Sequence, residues 1–190
     1  MAKGLWLTDG SGSDNGRLNG VTEPAHLGDE RTTLLGFLQL QRDIVVWKLS
    51  DAGDDVLRSV STSTGLTLHG LVRHLEHVER YWFREVFAGE DNLPYAWTEA
   101  DPDGEFRVPL TVTMAELIAA YTKESARCDA VIGATPSLDE VSKRRDFSLR
   151  WIILHMIEET SRHLGHMDVL REQADGRVGE LPSSPMTSPS

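Results

Sequence analysis

The chain has 190 residues, 39% of them hydrophobic and 26% charged, with a formal net charge of −11. One domain fits that length, and the acidic balance argues against a nucleic-acid partner, which needs Lys and Arg gathered on one face. No run of about 18 apolar residues exists, so no membrane span is expected.

Residues 1–27, opening MAKGLWLTDGSGSDNG, are rich in Gly, Ser, Asp and Asn and show no apolar periodicity. They read as a flexible leader with Leu5, Trp6 and Leu7 as a docking patch, and they lack the apolar stretch of a signal peptide. The first helical pattern, DERTTLLGFLQLQRDIVVWKLS, opens on Asp29 as a cap and carries Leu34, Leu35, Leu38, Val45 and Leu49 at helical spacing. DAGDDVLRSVSTSTGLT then supplies a short acidic turn and a Ser/Thr loop. The second pattern, LHGLVRHLEHVERYWFREVFAG, ends at Gly89. A long connection, EDNLPYAWTEADPDGEFRVP, is too rich in Asp, Pro and Gly for regular structure over most of its length.

The third pattern, TMAELIAAYTKESARCDAVIGA, offers Thr113 and Glu116 as a capping box. Its Cys128 has the surroundings of a small buried thiol, so a structural role is expected; as the sole cysteine it excludes an internal disulfide and makes a cytoplasmic location the default. The fourth pattern runs from about Leu149 to Ala174 and ends near Gly176. Residues 178–190 are Pro and Ser punctuated and read as a disordered tail after a domain at 28–177. Four amphipathic helices, one long crossover connection and almost no strand-like alternation predict an all-α four-helix bundle, whose sites form in the core from facing helices.

Six of the seven histidines fall in two windows: His69, His74 and His77 on the second helix, His155, His163 and His166 on the fourth. Each helical residue advances by about 100°. Taking His155 as zero, Glu159 falls at ~40°, His163 at ~80° and His166 at ~20°, a sector shared with Ile152 and Leu170 and so facing the interior. A buried carboxylate and buried imidazoles need partners, and a divalent cation supplies them, since Glu oxygen and His nitrogen are ordinary zinc ligands. Glu159 and His163, four residues apart, can share one ion. A third ligand must come from elsewhere, and His74 is best placed, close in rotation to Leu71 and Val78, whereas His77 turns toward Arg73 and Arg84 as a boundary residue. Zinc leads, with nickel, iron and manganese open. The competing reading is a set of hydrogen-bonded core histidines, with Glu159 paired to Arg150 or Arg162. The zinc-protease pattern H-E-x-x-H, the paired E-x-x-H of di-iron bundles, Gly-rich phosphate loops and G-x-S-x-G are absent.

The stretches DERTTLLGFLQLQRD, GLVRHLEHVERYWFREVFAGE and LRWIILHMIEETSRHLGHMDVLRE together resemble the DinB-like superfamily, most closely its actinobacterial branch of uncharacterised and mycothiol-linked proteins. The resemblance spans residues 28–177 and implies a bundle, often dimeric, with one divalent metal held by a histidine of the second helix and an H-x-x-x-H or E-x-x-x-H pair of the last. In this sequence His74 of LVRHLEHVE matches the former and Glu159 with His163 the latter, in the carboxylate form also seen in mycothiol-dependent maleylpyruvate isomerase. The residues before Asp29 match nothing in the family. The resemblance further implies a low-molecular-weight thiol cosubstrate, such as mycothiol or bacillithiol, that is bound at the metal and acts on a small electrophile.

The leading expectation is therefore a metal-dependent thiol S-transferase. His155 and His166 would orient ligands or move protons as catalytic residues, or else only hydrogen-bond the ligands. Tyr81, Trp82 and Arg162 would line the cofactor pocket, unless the aromatics are simply core. The alternatives are a non-catalytic stress or ligand-binding bundle with a structural metal, and a metal-dependent hydrolase. The expected partners are a small thiol and an electrophile, with neither nucleic acid nor membrane; a homodimer is suggested by the resemblance and by the abundance of aromatics.

Overall fold

Each helix begins where a side chain satisfies the backbone N–H groups that the first turn leaves open. Asp29 accepts from the Thr32 amide and starts α1 (Glu30–Leu49). Thr67 accepts from Gly70 and starts α3 (Leu68–Glu79), after the one-turn α2 (Asp54–Arg58). The Thr113–Glu116 capping box forms as expected and opens α4 (Met114–Gly133). Ser148 caps α5 (Leu149–Asp175), which stops at Gly176 in the left-handed conformation, φ 76°. The computed structural model describes residues 17, 18 and 20–179; the Leu5–Trp6–Leu7 patch and the tail from residue 180 onward lie outside them.

The fold is all-α apart from a small hairpin, β1 (Arg17–Leu18) and β2 (Val21–Thr22), turning at Gly20 with φ 93°. That hairpin sits inside the stretch expected to be a leader. Val21 packs into the core at 5% exposure, and the Thr22 amide donates to Asp43 of α1 at 3.0 Å. A buried aliphatic and a tied backbone amide explain why residues 21 and 22 are ordered without any apolar repeat around them.

The order in which the helices enter the two apolar clusters gives their directions. One cluster takes Leu40, Ile44 and Leu49 of α1, Leu71 and Leu75 of α3, Leu117 and Tyr121 of α4, and Leu164, Met167 and Leu170 of α5. The other takes Leu38 of α1, Cys128 and Ile132 of α4, and Leu149 to Met156 of α5, with Phe83 and Phe87. Helices α1 and α5 thus run one way and α3 and α4 the other. Two parallel neighbours in sequence need a long crossover, and residues 88–113 supply it.

The second predicted helix is not uniformly α. From Arg80 to Phe87 it winds as a π-helix, with the Ala88 amide reaching Phe83 O at 3.0 Å. Between the clusters lies a polar layer. Arg42 forks onto the fully buried Glu79 at 2.8 and 2.7 Å, and Glu124 accepts from Arg80 and Arg84 at 3.1 and 2.6 Å. Glu159 occupies the same level of α5, between Met156 and Leu164. Among the described residues no helix is long and apolar enough to cross a membrane.

Candidate metal centre

Two helices far apart in sequence bring three side chains to one point. His74 comes from α3, and Glu159 and His163 come from successive turns of α5. Glu159 Oε1 lies 3.2 Å from His74 Nε2 and 3.1 Å from His163 Nε2. One donor atom from each residue lies within 4.8 Å of the others. Their side chains are 15%, 17% and 12% exposed, so the cluster is sunk into the bundle yet still reached by solvent. Glu159 is not an arginine partner: Arg150 is taken by Glu30 and Asp139.

A fourth residue, absent from the sequence expectations, completes the arrangement. Glu105 sits on a 3₁₀ turn, Gly104–Phe106, inside the long crossover. Its Oε1 accepts from His74 Nδ1 at 2.7 Å and its Oε2 from His77 Nδ1 at 3.0 Å. The turn is pressed onto α3. The Phe106 ring stacks on His74 at 4.9 Å, and Arg73 Nε donates to Glu105 O at 2.7 Å. Gly70 permits the approach, because a Cβ there would lie 2.7 Å from Phe106 O. His77 is consequently buried at 6% exposure. Rotation about α3 alone predicts a boundary residue, because it takes no account of a loop folding back over that face.

These contacts settle how His74 presents itself. With its Nδ1 proton donated to Glu105, a neutral ring turns the Nε2 lone pair toward the Glu159 carboxylate, which is repulsive unless positive charge lies between. A proton on Nε2 is one remedy. Burial works against the charged ring, but the hydrogen bonds and charges of Glu105 and Glu159 outweigh it and push His74 up to about 9. A divalent cation is the other remedy, and two imidazole nitrogens with one carboxylate oxygen suit zinc. Hydrogen bonds from His163 and then His74 hold Glu159 well below the usual carboxylate range. Burial opposes ionisation of Glu105, yet its two imidazole partners bring it down to about 2. The donor set fits a divalent metal, and the Glu105–His74 pair is the usual support for a metal-binding imidazole.

The family model for mycothiol-S-transferase matches residues 33–176, from α1 to the end of α5. The chain belongs to the mycothiol S-transferase family. This is a DinB-like family, in line with the resemblance seen in the sequence. No curated protein shows significant similarity to the chain. The stretch matched by the mycothiol S-transferase model contains the triad and the Glu105 turn, and leaves the hairpin outside.

The remaining histidines of this mycothiol S-transferase family member are distributed differently from one another. His166 is exposed rather than turned to the interior as its rotation predicts, because it lies at the open edge of α5; its Nδ1 is 3.3 Å from His163 Nδ1, so it can support that imidazole. His155 instead joins an aromatic cluster, stacked on Trp151 at 5.0 Å and edge-on to Trp82 at 4.9 Å. His69 is a strut: its Nε2 meets Asp54 at 2.7 Å, and Asp54 also accepts the Met114 amide at 2.8 Å. Cys128 is buried with its Sγ 3.5 Å from Glu79 O, and burial pushes its thiol far above the ordinary range, which suits a structural part.

Tyr81 and Trp82 line a cavity of about 280 Å³ together with His77, Val78, Trp97 and Glu105. Arg162 is exposed on α5 and has no partner among the described residues. A larger cavity, about 470 Å³, lies between α1, α4 and Gly20 and contains none of the histidines.

Proposed function

We propose that the protein is a metal-dependent S-transferase that joins mycothiol, or a thiol of like chemistry, to small electrophiles. The observation that supports this most is the convergence of His74, Glu159 and His163 on one point that solvent still reaches, in a chain of the mycothiol S-transferase family. Those three residues would hold the cation, zinc by donor chemistry. A cation bound there supplies charge that lowers the pKa of a thiol and delivers thiolate at neutral pH.

The chain's own residues do the rest. Glu105 orients His74, and His166 supports His163. The thiol enters from solvent. Attack forms a carbon–sulfur bond while the electrophile's leaving group departs with the bonding electron pair, and the thiol proton passes to solvent. Cys128, buried and protonated, has no part in it.

The test is elemental analysis of untagged protein beside His163→Ala, with thiol-dependent turnover of monochlorobimane measured on both. About one equivalent of metal and turnover in the parent protein, both lost in the variant while the helical circular dichroism persists, is the expected result. A second reading, a metal that only braces α3 against α5, draws on the triad's bridging of those helices. It predicts a large loss of stability on chelation with no turnover. Ester cleavage without added thiol would mark a hydrolase instead.

A further inference from the structure

We infer that the cavity walled by His77, Val78, Tyr81, Trp82, Trp97 and Glu105 seats the electrophile, and that this electrophile carries a flat, apolar ring system. The inference rests on the transferase reading above and names the substrate class of that site. Position is the first argument. Glu105 belongs to the cavity wall and to the metal cluster at once, one oxygen on His77 and the other on His74. A molecule in the cavity therefore lies against the carboxylate that orients His74, and the wall residues His77 and Val78 follow His74 by one turn of α3.

Wall chemistry is the second argument. Glu105 is the one charged side chain among the lining residues, and two imidazoles already occupy its oxygens. The rest is mostly ring face and aliphatic carbon, with polar atoms only at the edges of His77, Tyr81 and the two indoles. A polyhydroxylated body such as the sugar portion of mycothiol would lose its water hydrogen bonds there without finding enough replacements. A flat apolar ring loses nothing and gains ring contacts. Size agrees: about 280 Å³ is just under the usual ~300–1,000 Å³ of small-ligand sites and suits one small body.

Rigidity is the third. Trp82 is held edge-on by Tyr81 at 5.3 Å, Phe147 at 5.4 Å and His155 at 4.9 Å, so it forms a fixed wall. This gives His155 a use the sequence did not suggest, as a support of that wall. Trp97, 37% exposed, packs on Tyr95 at 5.1 Å and forms the rim. Tyr95 is anchored in turn by its hydroxyl, which donates to Glu85 at 2.8 Å.

The test uses the zinc-loaded full chain and its Trp97→Ala variant, a rim substitution outside the core. With mycothiol as thiol, KM is measured for monochlorobimane, which is flat and bicyclic, and for iodoacetamide, which is neither. Binding of unreactive tetramethylbimane without thiol is measured by equilibrium dialysis. Expected is a rise of about tenfold in the bimane KM and in the dialysis constant, the size of one lost ring contact. The iodoacetamide KM, the thiol KM and the zinc content stay unchanged. Equal effects on both electrophiles, or unaltered bimane binding in the variant, overturn the assignment. Bimane binding that depends on Trp97 in a protein showing no thiol-dependent turnover would sustain the cavity as a ring site and overturn the transferase reading alone.

Discussion

Glu105 and His74 are 31 positions apart in the chain, and a 2.7 Å hydrogen bond joins the Oε1 of one to the Nδ1 of the other. The same carboxylate holds His77 Nδ1 at 3.0 Å. One loop residue thus sets the orientation of a proposed metal ligand and the position of a cavity wall. Replacing it should weaken zinc binding without unfolding the bundle. Glu105→Ala is expected to lower affinity about 10–100-fold, the usual effect of losing such a support. Glu105→Gln should lose less, because its amide oxygen can still accept from His74 Nδ1 while its NH₂ donates to His77 Nδ1 in the other tautomer. Competition with a chromogenic chelator reads this directly, and unchanged affinity in both variants would remove Glu105 from the site.

Gly70 makes that bond possible by letting the turn approach. In Gly70→Ala the new Cβ would lie 2.7 Å from Phe106 O and 3.1 Å from Phe106 Cα, both backbone atoms that cannot swing aside. Overpacking of this kind costs about 1–3 kcal/mol, against which alanine's helix preference returns up to about 1 kcal/mol. The expected outcome is a small drop in urea midpoint with a larger drop in zinc affinity. A variant with full affinity would show that the turn tolerates displacement.

The metal-free protein should carry a pH signature. His74 is raised from 6.5 to about 9, so its contribution to stability is complete below pH 6.5 and is lost as pH climbs through 9. Glu105 is lowered from 4.5 to about 2, so its contribution is present above pH 4.5 and is lost as pH falls through 2. The cluster therefore stabilises most between those two ordinary values, about pH 4.5 to 6.5. The denaturation midpoints of chelated parent and His74→Ala proteins should differ most at pH 5.5 and converge above pH 9. Bound zinc should abolish the alkaline loss, since the cation replaces the proton on Nε2.

The polar layer makes a separate demand on stability. Glu79 is fully buried and receives both arms of the Arg42 fork. Glu79→Ala would strand that guanidinium, and breaking a buried pair from one side costs about 3–5 kcal/mol. A paired Arg42→Met, Glu79→Leu variant should recover most of the loss, because it removes both charges and their desolvation together. Chemical denaturation of the three proteins decides the point; a mild Glu79→Ala effect would mean that Asp129, 2.7 Å from Arg42, carries the guanidinium alone.

What could be read from residue order were features set by local geometry. The starts of α1 and α4 follow from Asp29 and from Thr113 with Glu116, because capping involves neighbours three residues apart. The long crossover was legible in its Pro, Gly and Asp content. Glu159 and His163 were legible as a pair because four residues return to one face of a helix. The Val21 contact gave no such sign, since one valine beside one threonine makes no period.

Tertiary structure alone decided the partners of those locally defined faces. The sequence determined that α3 and α5 each carry histidines on a face, and it singled out His74 only by rotation and by family likeness. Which turn of one helix meets which turn of the other depends on how the two apolar clusters interlock. Glu105, His77 and the Trp97 rim depend on how an irregular 26-residue connection, 88–113, folds back, and no repeat marks that path. It is fixed by a steric opening at Gly70 and by hydrogen bonds spanning some thirty residues, relations that exist only once the chain is folded.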